Sequence, residues 1–197
     1  MYGFINNNTL NFFDNLGLLI KKHTPKQRPN KYVSQEEFKE IFSDATDNDV
    51  GGTSNNWQDM ATNGGRFFPV RVSANDKCAL EVQDAELIVD VYVIDGYSGE
   101  KGIDGMTIEE HEYVHEEINS NFWNAMAEFL NSYDKQKMSS ALCASQWADY
   151  LNNWFIAFGL KAHQTDLLFD VQQYQRKGLD ETIRQIDQAV QELTDAT

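Results

Sequence analysis

The stretch Thr107–Asp134 constrains the fold most, because it specifies one long helix and the side on which that helix must be covered. Thr107-Ile108-Glu109-Glu110 is a capping box: the threonine hydroxyl takes an N-terminal amide and Glu110 reaches back to the cap. Glu109 and Glu110 also suit the positive end of the helix dipole. Downstream, Ile108, His111, His115, Ile118, Phe122, Ala125, Met126 and Phe129 share one stripe roughly 100° wide on a helical projection. Glu109, Glu116, Glu117, Ser120, Asn124 and Glu128 lie away from it. Two histidines thus fall inside an apolar, inward-facing stripe, where an imidazole without a hydrogen-bond or metal partner costs on the order of a few kcal/mol.

Those histidines belong to His111-Glu112-Tyr113-Val114-His115, an H-E-x-x-H pattern. Imidazoles four residues apart on a helix stand one turn above each other and can grip the same ion. Glu112, on the edge of the stripe, can reach water at such an ion and accept its proton.

Composition narrows the alternatives. With 197 residues, 41% of them hydrophobic and 12% aromatic, the chain is globular and suffices for a single domain with a sizeable core. A formal net charge of −15 disfavours nucleic acid and anionic membrane surfaces as partners. Cys78 and Cys143 make no disulfide framework and no Cys-x-x-Cys motif, and leave the redox compartment open. No apolar run approaches the length of a membrane span. Leu10–Ile20 lacks a basic start and carries Asp14, so a soluble chain without a signal peptide is expected, its compartment undetermined.

The order of elements argues α+β: a helical and loop N-terminal part (1–65), a small antiparallel sheet (66–94), then a helical half (107–195) containing the motif helix. Thr9–Lys22 reads as a helix that ends in Lys21, Lys22 and a dipole-facing His23. Thr24–Lys31 reads as a connector. Ser34-Gln35-Glu36-Glu37 opens a short helix through a second capping box. Asp47–Gly65 reads as a long loop; Asp47, Asp49 and Gly52 faintly suggest a calcium loop, but Gln58 stands where the bidentate acid belongs. Arg66–Val72 (an edge, given Pro69), Lys77–Val82 and Glu86–Ile94 read as strands, the last two turning as a hairpin at Gln83–Ala85. Asp95–Gly105 is a glycine-rich loop. Ser139 to about Lys177 is helical with a break expected at Gly159, and Leu179–Leu193 forms a final amphipathic helix.

A catalytic zinc takes three protein ligands and water. If the motif helix and its successor form a hairpin about residue 136, His163 stands level with His111. His163, Asp166, Asp170 and Tyr174 share one face of that second helix. The metal-ligand candidates are therefore His111, His115, His163, Asp166 and Asp170, with Glu112 as the catalytic candidate.

At His111–His115 the sequence resembles the zincin metallopeptidases. The resemblance implies that His111 and His115 bind zinc, that Glu112 is the general base, that a third ligand comes from a later helix, and that a sheet edge, Glu86–Ile94 or a neighbouring strand, receives a protein or peptide substrate. The expected function is a zinc-dependent hydrolase, a peptidase. Three alternatives stay open: a carboxylate-bridged metal site built on Glu112-x-x-His115, a degenerate zincin-like domain, and a non-catalytic interaction module without metal.

Overall fold

A computed structural model describes residues 20–43, 45–47, 49–57, 67–102, 105–174 and 178–195. Among them the architecture is α+β. Its elements are β1 (Lys31–Val33), α1 (Gln35–Ile41), β2 (Gly51–Asn55), β3 (Val70–Val72), β4 (Leu80–Val82), β5 (Val89–Ile94), α2 (Ile108–Asn131), α3 (Ala141–Tyr174) and α4 (Asp180–Asp195). No helix of the described residues is long and apolar enough to cross a membrane.

Both capping boxes form. Thr107 accepts from the Glu110 amide while the Glu110 carboxylate accepts from the Thr107 amide, and Ser34 and Glu37 do the same at α1. The buried arc of α2 is wider than the sequence stripe and turned from it. Ala125 is exposed, whereas Glu112, Glu116, Asn119, Ser120, Trp123, Ala127 and Leu130 are buried. The cause is that α2 is covered on several sides. Residues 20–30 run along it and satisfy its polar groups: Asn131 and Asn124 each bracket a backbone unit, at Ile20 and His23. Trp123 Nε1 donates to the Lys21 carbonyl at 2.7 Å.

His23 is accordingly not a helix-end charge. It is buried, with Nε2 3.2 Å from Glu116 Oε1 and Nδ1 3.1 Å from the Leu87 carbonyl. Residues 20–22 of the expected first helix are extended, with Ile20 bridging Ala85, and residues 9–19 of that expectation lie outside the described residues.

The sheet differs from expectation in two ways. First, β4 pairs antiparallel with β3, not with β5. Second, β5 is the centre of another sheet, ordered β1-β5-β2, with β1 parallel and β2 antiparallel to it. The strand β2, Gly-Gly-Thr-Ser-Asn, sits where a loop was expected. Its local propensity is poor, but pairing with β5 satisfies its backbone, and its glycines are needed for close approach. A Cβ on Gly51 would lie 2.5 Å from Ile108 Cγ2, and one on Gly52 2.8 Å from the Phe42 ring. Asp47 pairs with Lys39 and Asp49 closes a turn with Thr46, so neither offers a calcium loop among the described residues; Gln58 lies outside them. Cys78 and Cys143 are both free thiols.

The helix α3 runs unbroken through Gly159. That glycine is a packing device: a Cβ there would lie 3.1 Å from Trp57 Nε1. The Trp57 indole, 1% exposed, fills the core with Trp123 and Phe155 at ring distances of 5.1 and 5.9 Å. Burying side chains of this size contributes about 1.5–3 kcal/mol each. Gly159→Leu should therefore destabilise the fold by about 1–3 kcal/mol through overpacking, despite the better helix propensity of leucine; urea unfolding of both proteins measures it.

Candidate metal centre

The helices α2 and α3 pack antiparallel, and their register brings the candidate residues together. His111 meets Asp170 and His115 meets Asp166, so the point equidistant along the chain lies between residues 140 and 141, not at 136. The reason is in the connection. Residues 132–140 run on beyond the end of α2, held to the β3–β4 hairpin by Lys135 N to the Leu80 carbonyl, Leu80 N to the Gln136 carbonyl and Met138 N to the Cys78 carbonyl, at 2.7–2.9 Å. The start of α3 consequently projects past the end of α2, and Tyr133 already stacks on Trp147. This shift places His163 about two helical turns, roughly 10 Å, from the level of His111. His163 is half-buried and is not among the converging ligand atoms; Asp170 takes the place expected for it.

Three atoms converge. His111 Nε2 and His115 Nε2 are 3.2 Å apart, His115 Nε2 and Asp170 Oδ1 3.1 Å, and His111 Nε2 and Asp170 Oδ1 3.3 Å. This is a nearly equilateral triangle. A tetrahedral zinc with bonds of about 2.0 Å separates its ligand atoms by about 3.3 Å, so the spacing fits that ion. Asp166 does not join the triangle. Its Oδ1 is 3.2 Å from Nδ1 of His115, on the far side of the ring, where a carboxylate fixes the tautomer of a ligating imidazole. Phe169 closes one side, stacked on His111 at 4.9 Å and edge-on to His115 at 5.3 Å.

Glu112 lies beside the triangle without belonging to it. It is 6% exposed, and its Oε2 accepts from Thr53 Oγ1 at 2.8 Å. Burial raises its pKa above the usual carboxylate range, an effect that the imidazoles of His115 and His111 and the Thr53 hydroxyl only partly offset. A carboxylate raised in this way is a better proton acceptor near neutral pH. Burial likewise opposes the charged form of Asp170, but hydrogen bonds from His111 and His115 outweigh it and hold that carboxyl well below its usual range. For His115, burial disfavours the cation, yet the hydrogen bonds to Asp166 and Asp170 and the charge of Glu112 push its pKa up to about 10.

Three carboxyl groups thus surround two imidazoles, an arrangement of acidic groups that suits a cation. A divalent cation offsets their charge better than a single proton. Thr53, Asn119 and Phe169 were not legible as site residues. Asn119, one turn after His115, was within reach of a helical-spacing argument; Thr53 comes from a segment read as loop.

No protein-family model, no curated protein and no solved structure matches this chain.

A metal ion at these atoms would take the neutral ring of His115, whereas the carboxylates around that ring favour its protonated form up to about pH 10. Zinc loading at pH 7.5 should therefore release about one proton, and affinity should rise with pH until about pH 10. Calorimetric titration in two buffers of different ionisation enthalpy measures the release; identical heats would contradict it.

Proposed function

We propose that this chain is a zinc-dependent hydrolase of the zincin kind, acting on protein or peptide. His111, His115 and Asp170 hold the metal and Glu112 is the general base. The observation that carries the reading is the triangle of two imidazole nitrogens and one carboxylate oxygen with edges of 3.1–3.3 Å.

A bound zinc supplies Lewis acidity and lowers the pKa of water to about 7. The chain's own residues do the rest. Glu112, kept basic by burial and aimed by Thr53, accepts a proton from water and returns it to the leaving amine. Asp166 holds the ring of His115, and Phe169 excludes solvent from both imidazoles. Substrate enters beside β2. That strand, the neighbour of the central β5, is the sheet edge next to Glu112 among the described residues.

A second reading keeps the metal without turnover, and a specific observation favours it. His111, Glu112 and His115 are only 4, 6 and 8% exposed, as in a closed structural site.

One set of variants separates the two. Protein purified without added metal should carry about one zinc per chain, and His111→Ala with His115→Ala should carry none. Asp170→Asn should lose most of the zinc, while His163→Ala should keep it. Glu112→Gln should retain zinc but lose peptide hydrolysis by on the order of 100-fold or more. Wild-type protein that binds zinc yet cleaves nothing in a peptide library supports the closed structural site; absence of zinc from the wild type removes both readings.

A further inference from the structure

We infer that β2 is the positioning strand of this site, with Thr53 aiming Glu112 and Asn55 aiming His115 through Asn119 and Asp166. The inference rests on the metal reading above and adds to it the element that sets the geometry. Thr53 and Asn55 are two residues apart on a strand, so their side chains leave the same face. That face meets α2. Thr53 Oγ1 lies 2.8 Å from Glu112 Oε2 and 3.1 Å from the Glu112 carbonyl, which fixes the carboxylate against the strand.

The second path has four members. Asn55 Oδ1 accepts from the Trp57 amide at 3.0 Å, which turns its Nδ2 toward Asn119 Oδ1, 3.2 Å away. Asn119 Nδ2 donates to the His115 carbonyl and to Asp166 Oδ2, each at 2.9 Å. The other oxygen of Asp166 reaches His115 Nδ1 at 3.2 Å. Each amide thus has its oxygen and its nitrogen assigned by a separate partner, and neither can flip without breaking the path. The strand comes this close because position 51 is glycine: a Cβ there would meet Ile108 at 2.5 Å and Glu112 Oε1 at 3.1 Å. One short strand, pinned by β5 on its other side, therefore holds both the base and a ligand.

The test is zinc affinity of the reloaded full-length chain by competition with a chromophoric chelator, together with the visible spectrum of the cobalt-substituted protein. Asn119→Asp, isosteric but without the donor, should keep one zinc and bind it about 10- to 100-fold more weakly. Asn55→Ala should weaken it in the same direction by less. Both should shift the cobalt bands, which a general loss of stability would not do. Thr53→Val should leave zinc affinity at the wild-type value and lower peptide hydrolysis by on the order of 10- to 100-fold, with Thr53→Ser restoring it. If Asn119→Asp fails to fold, Asn55→Ala carries the comparison. Wild-type zinc affinity and an unshifted cobalt spectrum in the asparagine variants overturn the path to His115 while the metal reading stands. Wild-type hydrolysis in Thr53→Val overturns the path to Glu112. A wild-type chain that takes up no zinc overturns the metal reading, and this inference with it.

Discussion

Two imidazoles lie buried side by side on α2, their Nε2 atoms 3.2 Å apart, and this pair is sustainable only because α3 brings carboxylates to it. An isolated buried polar group costs several kcal/mol, and an isolated buried charge far more. Asp170 faces both rings, and Asp166 stands behind one of them. The partners must arrive in register, so the packing of α2 against α3 is specified by chemistry as well as by shape. A slip of one helical turn would leave one of the two imidazoles and one of the two carboxylates without the partner each has now.

The rest of the fold serves that register. The connection between the helices is anchored on the β3–β4 hairpin, which fixes how far α3 projects past the end of α2. Asn152 of α3 brackets the Val70 backbone with both atoms of its amide, tying α3 to the same hairpin. Beneath the polar cluster, Trp57, Trp123 and Phe155 supply apolar burial, and Gly159 lets the Trp57 indole lie against the α3 backbone. Apolar contact provides the bulk of the free energy, while the hydrogen-bonded contacts decide which of several similar packings is adopted.

The helix α2 also shows why a polar residue on a helix need not face water. Glu116 reads as solvated, yet it is buried with His23 and accepts from the Lys26 amide at 3.0 Å. Asn119, Asn124 and Asn131 each fasten α2 to another segment. Their partners lie some fifty to over a hundred residues away in sequence, and helical periodicity holds no information about them. The apolar stripe located the face toward α3; it did not show that a second arc would be covered by residues 20–30 and by β2.

The sequence by itself determined the α+β class, the two capping boxes, the position of α2 and the pairing of His111 with His115. These depend on interactions within a few residues, where spacing alone sets geometry. It also brought Asp166 and Asp170 onto one face of the following helix. Only the tertiary structure decided that Asp170 and not His163 closes the triangle, because the choice hangs on where α3 begins relative to the end of α2. It decided too that Gly51–Asn55 is a strand, since its stabilising hydrogen bonds come from β5 and its glycines answer to Ile108 and Phe42. Local patterns fix what a segment is able to form; contacts between distant segments fix which side chains meet, and at this site that meeting is what the chemistry requires.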